Sequence, residues 1–144
     1  MTNLTALYRI AEANGIKIRN FDLDGDEAVS IKCKGKCFIV IDPEDIKSAA
    51  DEKVKLGHEL GHCLTESFYT DSSPECVKQK HENRANKWAI QHLIPLNKLN
   101  EAVQHGHTEM WDLAEYFGVD EDFMRMAVCW YLYGTLETEN YFAS

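Results

Sequence analysis

The chain has 144 residues, of which 44% are hydrophobic and 10% aromatic, a composition that suits one domain with a hydrophobic core. Its 15 lysine and arginine residues stand against 24 aspartate and glutamate residues, so the formal net charge is -9. This balance argues against direct nucleic-acid binding, because phosphate contacts need clustered cations, and it permits a basic protein partner.

The sequence predicts a cytoplasmic protein without membrane contact. No segment approaches the ~18 consecutive apolar residues of a membrane span, and the first residues lack the charged start and apolar run of a signal peptide. The five cysteines are an odd number at irregular spacings. Such spacing favours a reduced chain without a disulfide framework.

Within the first 45 residues we expect one helix and a small antiparallel sheet. Apolar residues recur at helical spacing over about 2–14, and short alternating runs predict strands at about 16–20, 29–33 and 37–41. A three-residue loop at 34–36, with a glycine in its centre, predicts a hairpin between the last two strands. Cys33 and Cys37 flank this loop. They could form a metal pair or a redox pair, but two half-buried strand residues is the favoured interpretation.

A helix predicted at about 46–65 carries the central motif, Gly57-His58-Glu59-Leu60-Gly61-His62. His58 and His62 are four residues apart and therefore share one helix face, where two imidazoles can bind one zinc ion. Gly57 and Gly61 form a bare edge, which predicts close approach of another element. The apolar residues of this helix cluster on the face opposite the histidines, which predicts that the histidines face a cleft. These apolar residues are Ala49, Leu56, Leu60, Cys63 and Leu64.

A second helix, predicted at about 75–93, supplies that close element and a third ligand. Ala85 and Ala89 are small enough to lie against the glycine edge, and Glu82 then points at the histidine pair. Asn86, one turn after Glu82, is expected to hold a metal ligand in position. The sequence therefore predicts one zinc ion bound by His58, His62 and Glu82.

The H-E-x-x-H pattern is typical of metal-dependent proteases, in which three protein ligands leave one coordination position open. Zinc lowers the pKa of a bound water from 15.7 to about 7. Glu59 is the predicted catalytic base, which takes a proton from the attacking water and later gives it to the leaving amine. An aspartate at this position would be one methylene too short for that role.

The C-terminal third is predicted to be helical only in part. Residues 96–110 form a mixed polar segment, and a helix, a turn at Gly118 and a second helix follow over 111–133. The outline resembles a helix-turn-helix, but the second helix offers only Arg125 as a cation. We therefore interpret the pair as structural rather than DNA-binding. An acidic tail is predicted from about 135 onward.

Zinc peptidases usually add a tyrosine or histidine that stabilises the tetrahedral intermediate, and spacing alone does not choose among the candidates. Surface or core positions are the default for each of them. They are Tyr69, His81, His92, His105 and His107. Cys63 follows a predicted ligand but lies on the core side of its helix, so we interpret it as a packing residue. The tryptophans are predicted core aromatics: Trp88, Trp111 and Trp130.

The two central helices resemble those of the ImmA/IrrE metallopeptidases. The shared signatures are H-E-L-G-H, found here within 57–62, and E-x-x-A-N-x-(aromatic)-A, found at 82–89 and closed by Leu93-Ile94-Pro95. His92 departs from the family pattern, which commonly has an aliphatic residue there, and a core, groove or oxyanion role is open for it. The resemblance implies an α+β fold: a mostly helical, zincin-like metallopeptidase domain with a small antiparallel sheet near the N-terminus and a C-terminal helix-turn-helix-like pair.

The resemblance also implies a single metallopeptidase domain over 1–144, divided into 1–45, 46–95 and 96–144. It implies a zinc endopeptidase that cleaves a helix-turn-helix repressor of a phage or mobile element, with His58, His62 and Glu82 as ligands and Glu59 as base. Manganese or iron could occupy the same ligands. One alternative is a metal-stabilised module that sequesters a repressor without cutting it. Another is a DNA-binding regulator that uses 111–133.

Overall fold

The computed structural model describes residues 3–25 and 28–137, so the predicted tail from 138 onward lies outside the described residues. A three-stranded sheet near the N-terminus is followed by a mostly helical chain, which confirms the predicted α+β class. The elements are α1 (Leu4–Ala13), β1 (Lys17–Asn20), β2 (Ala28–Cys33), β3 (Lys36–Ile41), a 3-10 helix (Pro43–Asp45), α2 (Ala49–Thr65), α3 (Glu75–Leu93), α4 (Leu96–Gln104), α5 (Met110–Phe117) and α6 (Glu121–Tyr133).

The sheet is mixed rather than wholly antiparallel, with strand order β1-β3-β2. β2 and β3 form the predicted antiparallel hairpin, but β1 pairs with β3 in parallel, with Lys17 opposite Phe38. The hairpin loop has two residues rather than three. Lys34 and Gly35 both have positive φ, 52° and 76°, which is the backbone that a two-residue hairpin turn requires. Lys36 therefore belongs to the strand, opposite Cys33.

Helix α2 begins three residues later than predicted. The side chain of Ser48 accepts a hydrogen bond from the backbone N–H of Asp51 at 3.1 Å, which caps the first turn and fixes the start at Ala49. Leu56, Leu60 and Cys63 are buried as predicted, whereas Ala49 is exposed in the first turn. The buried stripe packs on the sheet and turns the opposite face of α2 towards α3.

The predicted close contact between α2 and α3 is confirmed. A Cβ added at Gly61 would lie 2.5 Å from the carbonyl oxygen of Ala85, and one added at Gly57 would lie 3.0 Å from Leu93 Cδ1. Ala85 and Leu93 are fully buried in this contact. The two helices therefore approach at a distance that any side chain at Gly61 would prevent.

The C-terminal region is more helical than predicted. The segment expected to be polar and mixed forms α4, with Leu99 and Ala102 buried on its inner face. The predicted helix pair is present as α5 and α6, joined through Gly118 at φ +67°. Lys53 of α2 is buried, and its amine donates a hydrogen bond to the carbonyl oxygen of Phe117 at 2.5 Å. This bond ties the last turn of α5 to the central helix.

Two predictions about individual side chains were wrong. Trp111 is 60% exposed and is not a core aromatic, whereas Trp88 and Trp130 pack against the core as partly buried rings. Cys33 is exposed rather than half-buried. Among the described residues, no helix is both long and apolar enough to cross a membrane.

The prediction of a chain without disulfides was also wrong, because Cys37 of β3 and Cys63 of α2 are bonded, with their Cα atoms 6.0 Å apart. Cys63 does face the core side of its helix, as predicted, and there it meets the sheet. The 26-residue separation gave no local signal of this contact. Cys33, Cys76 and Cys129 are free.

Candidate metal centre

The three predicted metal ligands lie together between α2 and α3. The Nε2 atoms of His58 and His62 are 3.1 Å apart. Glu82 Oε2 lies 2.7 Å from Nε2 of His58 and 3.3 Å from Nε2 of His62. One ligand atom from each of the three residues falls within 4.8 Å of the others. The helical spacing of the histidines and the glycine contact between the helices bring about this convergence.

Both imidazoles are held from behind by oxygen atoms. His62 Nδ1 lies 2.5 Å from the carbonyl oxygen of Ser67, and His58 Nδ1 lies 2.7 Å from Asn86 Oδ1. A carbonyl oxygen only accepts hydrogen bonds, so each Nδ1 is the donor and each Nε2 faces the site. When the ring is protonated, Nε2 donates to Glu82, and when the ring is neutral, Nε2 offers its lone pair to a metal. The predicted supporting role of Asn86 thus has a defined partner, His58.

The electrostatics of the site favour an ionised carboxylate beside the imidazoles. Burial acts to raise the pKa of Glu82, but hydrogen bonds from His58, His62 and Tyr69 outweigh it and hold that pKa well below its ordinary value. Burial acts to lower the pKa of His58, and its contact with Glu82 more than reverses this effect. The site therefore attracts positive charge.

Glu59 is buried beside the three ligands, with 8% of its surface exposed. Burial raises the pKa of its carboxyl group, while the nearby His58 charge and a hydrogen bond with Ser30 act in the opposite direction. A carboxylate whose pKa is moved towards neutrality is suited to accept and return a proton. Ser30 is a contact that the sequence analysis missed; it lies on β2 opposite the buried Ile39, so strand alternation could have indicated it.

Of the five candidates for stabilising an intermediate, Tyr69 is the one that contacts the predicted ligands. Its hydroxyl donates to Glu82 Oε1 at 2.5 Å, and this bond raises the pKa of Tyr69 to about 12. His81 stacks on the ring of Tyr69, at 6.4 Å between centroids.

The remaining histidine candidates have structural contacts. His92 stacks on Trp88, with 3.8 Å between ring centroids, and contacts the Trp88 carbonyl oxygen. His107 pairs with Asp112 at 2.8 Å. His105 ends α4. None of these contacts involves the three predicted ligands.

A cleft of about 890 Å³ opens from the ligands towards α6. One side includes the predicted ligand His58 with Glu59 and Tyr69, and the far wall includes Phe123 and Met126 of α6. Four aspartates also line it: Asp51, Asp71, Asp120 and Asp122. The cleft therefore combines an open approach to the ligands with an acidic rim.

The donor set fits a catalytic divalent metal. Two imidazole nitrogens and one carboxylate oxygen are the ligands of a common class of catalytic zinc site, which leaves one coordination position for water or substrate. The support of each imidazole by an oxygen at Nδ1 is the arrangement that usually accompanies such ligands.

Family comparison agrees with this geometry. The family model of peptidase M78, described as the IrrE N-terminal-like domain, matches residues 11–128. The chain belongs to this family. No curated protein matches the sequence. The resemblance to the ImmA/IrrE metallopeptidases is thereby confirmed, and the matched part of this M78 chain contains His58, Glu59, His62 and Glu82.

Proposed function

We propose that this M78 protein is a zinc-dependent endopeptidase of the cytoplasm that cleaves a helix-turn-helix repressor of a phage or mobile element. The observation that carries the proposal is the convergence of His58, His62 and Glu82 beside the buried Glu59, at the base of an open cleft. Zinc is proposed because this donor set suits it; measuring the metal content of the purified protein would distinguish it from manganese or iron.

Each side chain has a separate role in the proposed reaction. His58, His62 and Glu82 would hold the metal, which when bound supplies a polarised peptide carbonyl and an acidified water. Glu59 accepts the proton of the attacking water and delivers it to the leaving amine. Tyr69 is positioned to donate a hydrogen bond to the carbonyl oxygen as negative charge develops on it.

Charge supports a basic protein as the substrate. The chain carries a formal charge of -9, and four aspartates line the cleft that leads to the ligands. A DNA-binding repressor presents the opposite charge, which would accelerate encounter and favour the correct partner.

The DNA-binding alternative is disfavoured by the contacts of α6. Arg125 is the single cation of that helix, and it pairs with Glu121 and Asp122, each at 3.3 Å. A recognition helix needs such a side chain free for bases or phosphates. Salt-sensitive binding of the purified protein to operator DNA would reverse this assignment.

The decisive experiment incubates the purified protein with a candidate helix-turn-helix repressor, chosen first from the neighbouring genes, with and without a chelator. The products are analysed by mass spectrometry. We expect one or a few cleavage sites, loss of cleavage with chelator and recovery with added zinc. Glu59→Gln should retain stoichiometric zinc and lose cleavage.

The same variant separates cleavage from sequestration. If wild type and Glu59→Gln relieve repression equally in cells, the protein acts as a binding module and the peptidase proposal is wrong. A zinc measurement on both proteins is the control, because it excludes metal loss as the cause of any difference.

A further inference from the structure

The Cys37–Cys63 bridge lies in the wall of a groove on the side of α2 away from the catalytic cleft. The groove has a volume of about 510 Å³, and we call it the bridge groove. Both cysteines line the groove, and Cys37 is half-buried whereas Cys63 is buried, so a molecule in the groove reaches the disulfide from the Cys37 side. Neither the proposed reaction nor the family assignment uses this groove.

The bridge groove is basic within an acidic protein. Lys17, Lys32 and Lys36 line it, against the single carboxylate of Glu66. Lys32 pairs with Glu66 at 3.0 Å, and the other two lysines are exposed. The whole chain carries a formal charge of -9, so this local excess of cations is a distinct feature of the surface. Beside a disulfide, it favours the binding of an anionic molecule.

We propose that the Cys37–Cys63 bridge is a thiol–disulfide exchange site for an anionic low-molecular-weight thiol, which docks in the bridge groove, and that opening the bridge weakens metal binding. The reductant must come from outside the chain. Cys37 is opposite Lys32 in the strand register and shares its face of the sheet. Cys33 is the next residue after Lys32 on β2, so its side chain is on the other face of the sheet, away from the bridge.

The exchange balances in two steps. The thiolate of the small molecule attacks Cys37 Sγ, the more accessible sulfur; a new S–S bond forms there, the bridge breaks, and Cys63 leaves as a thiolate that takes a proton from solvent. A second thiolate then attacks the sulfur of the bound small molecule. Cys37 is released as a thiolate that takes a proton from solvent, and the two small molecules depart as their own disulfide, having supplied two electrons to the bridge.

The bridge is coupled to the metal centre through the last turn of α2. Cys63 directly follows His62 and fastens that turn to β3. His62 also depends on Ser67 in the next loop, which accepts from its Nδ1 at 2.5 Å and donates its own N–H to the His62 carbonyl oxygen at 3.0 Å. Opening the bridge removes one restraint on this turn, so His62 becomes less well oriented. This coupling, unlike the exchange itself, rests on the proposed metal site.

The first test measures how fast the bridge opens in the full chain as purified. Glutathione, which is anionic, and cysteamine, which is cationic, are supplied at equal thiolate concentration, and exposed thiols are alkylated and counted by mass spectrometry. We expect glutathione to open the bridge about threefold faster at low salt, with the preference lost at high salt.

The charge assignment has a matched control. Lys17→Gln/Lys36→Gln should abolish the preference for glutathione, and Lys80→Gln/Lys98→Gln, which changes two lysines outside the groove, should keep it. Equal opening rates with the two thiols, or five free thiols in the chain after mild oxidation, would overturn the exchange site.

The second test measures zinc affinity by competition with a chromogenic chelator. Cys37→Ser/Cys63→Ser should bind zinc about tenfold more weakly than the oxidised chain, as should the reduced wild type. Cys33→Ser/Cys76→Ser should bind like the oxidised chain. Affinities within twofold of one another would refute the coupling. If no form binds zinc, the coupling and the proposed metal site fail together, and the first test still decides the exchange site.

Discussion

The carbonyl oxygen of Ala85 lies so close to Gly61 that an added Cβ would stand only 2.5 Å from it. Because the obstacle is backbone inside a helix, neither partner can move without separating α2 from α3. We expect Gly61→Ala to lower the free energy of unfolding by about 3 kcal/mol and to weaken zinc binding. Urea unfolding and chelator competition measure the two effects.

Gly57→Ala is the matched control for this contact. Its Cβ would meet Leu93 Cδ1 at 3.0 Å, the end of a side chain that can rotate away. Relief of the glycine's helix penalty, about 1 kcal/mol, should offset the remaining crowding. A Gly57→Ala variant as unstable as Gly61→Ala would show that the backbone contact is not the cause.

Asn86 should contribute to metal affinity without touching the metal. Its Oδ1 holds His58 Nδ1 at 2.7 Å, which fixes the ring and its proton. We expect Asn86→Ala to weaken zinc binding by about tenfold or more while the fold is retained. Asn83→Ala, on the same helix and bonded to Gln79 instead, is the control that should leave zinc affinity unchanged.

Tyr69 should act on turnover rather than on metal binding. Tyr69→Phe removes the hydroxyl that can donate to a developing oxyanion, so we expect kcat to fall by about 10²-fold with zinc content unchanged. Tyr116→Phe is the control, since that ring packs on His107 outside the metal centre. A normal kcat in Tyr69→Phe would contradict the oxyanion role. The hydroxyl would then serve only to hold Glu82 in the metal-free protein.

Asp51 should make stability depend on acid pH. Burial acts to raise its pKa, but hydrogen bonds from the Lys55 amine and the Lys47 N–H outweigh burial, and the net pKa lies below the ordinary value of 3.8. A lowered carboxyl pKa in the folded state contributes stability above the unfolded pKa, and that contribution is lost as the pH falls through the folded pKa.

Asp51→Asn should therefore reduce the free energy of unfolding by about 1 kcal/mol at pH 7, and the difference from wild type should shrink towards pH 3 and below. Urea unfolding at a series of pH values gives both curves. Asp71→Asn, at an exposed aspartate, should change stability little throughout. A difference for Asp51→Asn that grows on acidification would contradict the sign of the pKa shift.

The parts of this molecule that were predictable are those whose signal is local. His58 and His62 share a face because of helical spacing, and the glycines and alanines of α2 and α3 specify the contact that carries Glu82 to them. The sequence carries no comparable signal for contacts that are made by main-chain atoms. The carbonyl of Ser67 could come from any residue type, and its position depends on the turn that follows α2.

Contacts between elements that are distant in sequence were also not predicted. The parallel pairing of β1 with β3, and the bridge between Cys37 and Cys63, depend on how the sheet packs against α2. Helix α4 was missed because Leu99 and Ala102 are its only buried residues and polar side chains surround them. A short helix that buries so little is stabilised by its neighbours more than by its own sequence.

The wall of the cleft that faces the metal ligands is built by α6 and by Leu136 after it, whereas every residue assigned to hydrolysis comes from α2, α3 and the loop between them. Under the proposed function, we expect substrate recognition and bond breaking to depend on separate stretches of the gene. We therefore expect exchanges in α6 to change which protein is cleaved, while the residues proposed for hydrolysis stay unchanged.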